Sequence, residues 1–157
     1  MRRWKSIFLS PTFNEIMVLR RVSRSAYGIL TSMTERGIQA DTVISPAVGG
    51  LFVGQEVARA LKLKSIFADK VDDELVLKRG FSIKPGERVI VAEDVVTEGG
   101  RVKQTIELVK KLGGIPVAVS IITDRSGGKA DFGIPLFSLL QLSLPTYLPE
   151  ECPLCKD

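Results

Sequence analysis

Arg88-Val89-Ile90-Val91-Ala92-Glu93-Asp94-Val95-Val96-Thr97-Glu98-Gly99-Gly100-Arg101 is the stretch on which the fold turns. Arg88 to Ala92 is a run of β-formers whose four apolar residues predict a buried strand. Two adjacent carboxylates, Glu93 and Asp94, stand at its C-terminal end. A hydroxyl (Thr97) and two glycines follow, and Gly99-Gly100 opens a predicted helix whose inner face is Val102, Ile106, Val109 and Leu112. In an open α/β sheet, ligands bind at the C-terminal ends of the strands. Glycines let backbone N–H groups come close to a phosphate, and a helix N-terminus adds a favourable dipole. Carboxylates beside a phosphate repel it unless they bind hydroxyls or something cationic. A sugar phosphate supplies that combination. The competing explanation is a plain strand-to-helix turn with an acidic start, since Asp and Glu are favoured there anyway. The segment is neither a Walker loop nor a Rossmann fingerprint, lacking Gly-Lys-Ser/Thr and G-x-G-x-x-G.

Outward from this stretch, strands and helices alternate. Thr12-Phe13-Asn14-Glu15 has capping-box spacing. Ile16, Leu19, Val22, Ala26, Leu30 and Met33 then recur at helical intervals, and Gly37 is placed to end that helix. Asp41 to Ser45 reads as a strand, and Pro46-Ala47-Val48-Gly49-Gly50 as a loop. Val53, Val57 and Leu61 mark the inner face of the next helix. Lys64 to Ala68 reads as a strand, Asp69 to Glu74 as a charged and exposed stretch, and Leu75 to Ile83 as an extended arm or hairpin. Pro85-Gly86 signals a turn before the central strand. Gly113-Gly114 ends the following helix, Ile115 to Thr123 is the next strand, and Leu136 to Leu140 a short last one. The fold class is therefore α/β, with a mainly parallel open twisted sheet and flanking helices. With 157 residues the chain is expected to form a single domain over 1–157.

Composition narrows the chemistry. The chain has no histidine, which removes the usual general base, His-based metal sites and every Ser-His-Asp or Cys-His scheme. Its net charge of +4 is scattered among acids rather than gathered into a stripe, so no nucleic-acid partner is expected. No apolar run approaches the roughly 20 residues that span a bilayer, so no membrane partner is expected and cytoplasmic location is the default. Cys152 and Cys155 form one CxxC pair, half of a zinc ribbon. Two free thiols in a terminal turn is the preferred reading over a metal shared across a dimer.

The central stretch closely resembles the PRPP-binding signature of the type I phosphoribosyltransferases (PRPP is phosphoribosyl pyrophosphate). The likeness extends to orotate phosphoribosyltransferases in particular. Val43-Ile44-Ser45-Pro46-Ala47-Val48-Gly49-Gly50 resembles their pyrophosphate loop, and Phe67-Ala68-Asp69-Lys70 a strand ending in a pyrophosphate-contacting base. Leu77-Lys78-Arg79-Gly80-Phe81 looks like the end of their mobile loop. Thr123-Asp124-Arg125 matches the Asp-Arg whose arginine binds the orotate carboxylate, and Glu151 to Lys156 the tail of some bacterial members.

The resemblance implies a type I phosphoribosyltransferase-like fold and conversion of orotate and PRPP to orotidine 5′-phosphate and pyrophosphate. It implies that Glu93 and Asp94 hold the ribose hydroxyls, while Val95, Val96, Thr97, Glu98, Gly99, Gly100 and Arg101 cradle the 5-phosphate. Ala47, Val48, Gly49, Gly50 and Lys70 receive the pyrophosphate, with Lys70 and Asp94 as the catalytic pair. Thr97 and Arg125 meet orotate. Mg²⁺ is the implied cofactor, bridged through PRPP with at most water-mediated contact to Glu93 or Asp94, and a homodimer is the implied assembly. Three departures stand out: Glu98 sits where a small residue is usual, as does Arg101 in many members. The mobile loop lacks its histidine, and no N-terminal hood precedes the first helix. Transfer to another base, or a non-catalytic PRPP-binding regulator, remain open as alternatives.

Overall fold

A computed structural model describes Gly28 and residues 31–143. In chain order the elements are α1 (residues 31–35 described), β1 (Thr42–Pro46), α2 (Leu51–Leu61), β2 (Lys64–Val71), β3 (Glu74–Leu77), β4 (Arg88–Val96), α3 (Gly100–Lys111), β5 (Ile115–Asp124) and β6 (Leu136–Gln141). The six strands form one sheet in the order β3-β2-β1-β4-β5-β6. Only the β2–β3 pair is antiparallel.

Burial on both faces explains the near-continuous apolar runs of β1 and β4. Alternate residues point to opposite sides. Ile44, Val89, Val91 and Val119 meet Val102, Ile106 and Val109 of α3 in one cluster. Val43, Ile90, Ala92 and Ala118 meet Val53, Val57 and Ala58 of α2, with Met33, in the other. The central strands are thus clamped between helices, and their parallel direction brings the C-terminal ends of β1, β2, β4 and β5 to one edge.

Three details differ from the sequence reading. β4 runs on past Ala92 to Val96, so Glu93 and Asp94 lie within the strand. The reason is the length of β5, which keeps pairing as far as Val96 with Asp124. β2 continues to Val71 and turns back at once into β3 through Asp72 and Asp73, both at positive φ (48° and 66°). The charged stretch is therefore a tight hairpin of the kind whose twist suits paired strands. Leu112, expected on the inner face of α3, caps the helix and is exposed, while Thr105 is buried there instead.

Among the described residues no helix is long and apolar enough to cross a membrane. The capping box at Thr12, the helix face from Ile16 to Leu30, and Cys152 with Cys155 lie outside the described residues.

Candidate functional site

The end of β4 and the start of α3 enclose a cavity of about 190 Å³. It is lined by Glu93 to Thr97 and Gly99 to Val102. The turn rests on Gly99, whose φ of 75° is left-handed and therefore natural only for glycine. A Cβ at Gly99 would also lie 2.8 Å from the ring of Phe132. The first intrahelical bond of α3 runs from Lys103 N–H to Gly99 O. The N–H groups from Thr97 to Val102 have no protein acceptor among the described residues. Unpartnered N–H groups at the positive end of a helix are a ready anion site.

The loop from β1 to α2 supplies a second set of donors. Ala47 is anchored, its N–H donating to Ala68 O at 2.8 Å, and the Ala47–Val48 peptide bond is cis. The N–H groups of Val48, Gly49 and Gly50 have no protein acceptor among the described residues. This loop packs directly on the acids. A Cβ at Gly49 would stand 2.8 Å from Asp94 Oδ2, and one at Gly50 would stand 3.0 Å from both Glu93 Oε1 and Ala92 O. The two glycines are what lets the loop lie against the carboxylates.

The two acids differ sharply. Glu93 is 3% exposed. Its Oε1 accepts the Asp94 N–H at 3.2 Å, and Oε2 has no partner. Burial, then the neighbouring Asp94 carboxylate, pushes its pKa up to about 8 against a weaker pull from Arg101. Glu93 is therefore largely neutral at pH 7, which lessens the repulsion the pair would exert on a phosphate. Asp94 is only half-buried, and its Oδ1 accepts the Val95 N–H at 2.7 Å.

Glu98 is exposed, does not line the cavity and forms no ion pair with Arg101 among the described residues. Arg101 does line the cavity. Arg125 directly follows β5, and its N–H donates to Val96 O at 2.7 Å, next to Thr97. Lys70 stands apart. It lies on β2 opposite Leu75, is half-exposed, and pairs with Asp73 across the turn. Arg79, in the expected mobile segment, reaches Asp69 at 3.4 Å and lies 5.7 Å from the Phe67 ring centroid.

Several participants escaped the sequence reading. Phe132 braces Gly99 from a loop more than thirty positions downstream, and no local pattern marks it. Asp73 as the partner of Lys70 was legible in principle, because two Asp between apolar runs is a hairpin-turn signal. Among the described residues no three His, Cys, Asp or Glu side chains gather into a metal cage. The half-buried Asp94 carboxylate at the cavity is a donor of the kind Mg²⁺ takes, since that ion binds through one or two carboxylates plus substrate phosphates.

The family of phosphoribosyl transferase domains matches residues 17–133. The chain is 51% identical over 120 residues to orotate phosphoribosyltransferase of Carboxydothermus hydrogenoformans, covering 76% of this chain and 63% of the relative. To the enzyme of that name from Thermotoga maritima it is 56% identical over 117 residues, covering 74% and 63%. It therefore spans a little under two thirds of the length of these curated relatives. Its backbone is similar to a crystal structure of adenine phosphoribosyltransferase from Thermoanaerobacter pseudethanolicus. There the TM-score is 0.67 and the identity 20%, over 78% of this chain and 81% of that one, a likeness of fold alone.

Proposed function

We propose that this chain, which belongs to the phosphoribosyl transferase domain family, transfers the phosphoribosyl group of PRPP to orotate and releases pyrophosphate. The observation that carries the reading is the cavity at the end of β4, where two carboxylates adjoin a row of unpartnered backbone N–H groups. Acids for ribose hydroxyls and donors for a phosphate are what a ribose 5-phosphate requires. Identity above 50% to orotate phosphoribosyltransferases over three quarters of the chain supports the choice of acceptor.

The 5-phosphate sits on the N–H groups of Thr97 to Val102, with Arg101 supplying charge. Asp94 and Glu93 take the ribose hydroxyls, Glu93 donating from its protonated carboxyl. Val48, Gly49 and Gly50 offer N–H groups to the pyrophosphate, and Lys70 reaches it from the β2–β3 hairpin. Arg125, held beside Thr97, forms a bidentate pair with the orotate carboxylate. The bond from the anomeric carbon to pyrophosphate breaks with its electron pair going to pyrophosphate. The ring nitrogen of orotate forms the new bond as its proton passes to the departing pyrophosphate. Positive charge spreads over the sugar at the transition state, and the Asp94 side chain lies near to offset it. Asp94 and Glu93 are the residues that would hold Mg²⁺ when it is bound, and it would supply charge neutralisation for the departing pyrophosphate. A homodimer in the cytoplasm belongs to the same reading.

The test follows orotate absorbance after mixing protein, PRPP and Mg²⁺. Wild-type protein should consume orotate, and Asp94→Asn should be slower by about a hundredfold or more. No consumption by protein that binds PRPP would sink the orotate assignment.

A further inference from the structure

Asp124 is a buried carboxylate, 3% exposed, that no ion pair among the described residues explains. It spends its oxygens on the chain around Arg125. Oδ1 accepts the Ser126 N–H at 2.8 Å and the Ser126 hydroxyl at 2.6 Å. Oδ2 accepts from the Gln141 amide at 3.4 Å. The Ser126 hydroxyl oxygen in turn accepts the Ala130 N–H at 2.9 Å, closing a loop of five residues. On the backbone, Asp124 O accepts the Leu142 N–H at 2.8 Å while the Arg125 N–H is fixed to Val96. The Asp124–Arg125 peptide is thus tied to β4 through its N–H and to the chain just beyond β6 through its carbonyl, and the Arg125–Ser126 peptide is held by the bond from its N–H to Asp124 Oδ1.

Gln141 serves this arrangement from the end of β6, and Gly128 makes room for it. A Cβ at Gly128 would lie 2.7 Å from the Gln141 amide nitrogen, at a φ of 79°. Isolating a carboxylate from water is unfavourable unless its hydrogen bonds are made. A fold that needed only a turn here could use an exposed Ser or Asn.

We infer that Asp124, with Ser126 and Gln141, is a positioning residue that sets the direction of Arg125 and so the enzyme's grip on a carboxylate-bearing acceptor. The inference rests on the acceptor reading above. A planar guanidinium binds a carboxylate bidentately only in a narrow orientation. Loosening the side-chain bonds of the turn should therefore weaken acceptor binding while leaving the PRPP loops as they are, because their ties to this segment (Val96 O to the Arg125 N–H, and Phe132 against Gly99) use no side chain of Asp124, Ser126 or Gln141.

The experiment compares Michaelis constants of the full chain carrying Asp124→Ala, Ser126→Ala or Gln141→Ala. Loss of one hydrogen bond to a charged group should raise KM for orotate about tenfold in Ser126→Ala. Asp124→Ala should raise it further, and KM for PRPP should stay within about twofold in both. Asp124→Asn should restore much of the loss, because its oxygen still accepts from Ser126. Should Asp124→Ala fail to fold, Ser126→Ala, whose side chain is only half-buried, carries the test. Parallel rises in both constants, or a fall in melting temperature with both unchanged, would overturn the inference and leave Asp124 as a structural residue. If wild-type protein binds PRPP but does not turn over orotate, the acceptor reading falls and the inference with it.

Discussion

The β4–α3 turn and the β2–β3 hairpin lie at the same edge of the sheet, yet they present polar groups to it by opposite means. The turn is one continuous segment whose working parts are backbone N–H groups and a single left-handed glycine. Its shape follows from chain geometry. The hairpin presents side chains on a half-exposed ribbon, where Lys70 is partnered by Asp73 and Arg79 by Asp69. A site made of backbone is rigid and intolerant of substitution. One made of paired surface charges is tunable, and each pair contributes little alone.

The largest expected effect is at Gly99, where that contrast breaks most visibly. Gly99→Ala places a Cβ 2.8 Å from the Phe132 ring at a φ of 75°. The left-handed conformation alone costs about 1–2 kcal/mol for a residue with a Cβ. The contact adds to this, and PRPP affinity by calorimetry should fall about thirtyfold or more. Adding Phe132→Leu should recover the part due to the contact and not the part due to φ. Full recovery in the double variant would mean that Phe132, rather than the backbone, sets the turn.

Glu93 sharpens the same contrast through pH. Its ordinary pKa of 4.5 is raised to about 8 in the folded protein, chiefly by burial. Between those values the folded chain holds more proton than the unfolded one, so stability falls as pH rises through this window. Glu93→Gln is neutral throughout and should flatten that decline. Unfolding curves for the two proteins should agree to within about 1 kcal/mol near pH 5, with the variant ahead near pH 9 by on the order of 5 kcal/mol. Parallel curves would show that Glu93 is not held neutral by its surroundings.

The same division governs what the sequence made legible. Where Glu93 to Arg101 and Val43 to Gly50 lie in the fold could be read because each is an unbroken run in which spacing fixes geometry. The outer half of β4 was read too short, since the length of a strand depends on its neighbour, here β5. Leu112 was placed on the helix face by periodicity, which does not register where the last turn ends. Phe132 against Gly99 and Gln141 against Asp124 are contacts between distant segments. Only the folded sheet brings them together. Glu98 lay between these cases: its position in the loop was legible, and its exclusion from the cavity lining was not.

The smallest expected effect is on the hairpin. Lys70 is half-exposed and Asp73 almost fully so. The Lys70 ammonium holds the Asp73 carboxyl below its ordinary pKa. If Lys70 acts as a point charge on the departing pyrophosphate, Lys70→Ala should lower kcat about tenfold at low salt. Added salt should shrink that difference, because charges on an exposed ribbon are screened within about 10 Å at 0.1 M. Asp73→Asn removes the competing partner and leaves the turn residue able to adopt positive φ. It should change kcat by no more than about twofold, and upward, because an exposed ion pair restrains its lysine only weakly. A loss in Asp73→Asn as large as in Lys70→Ala would mean that the pair, rather than the lysine alone, is the functional unit. The hairpin would then be as preorganised as the glycine turn, and the contrast between the two regions would vanish.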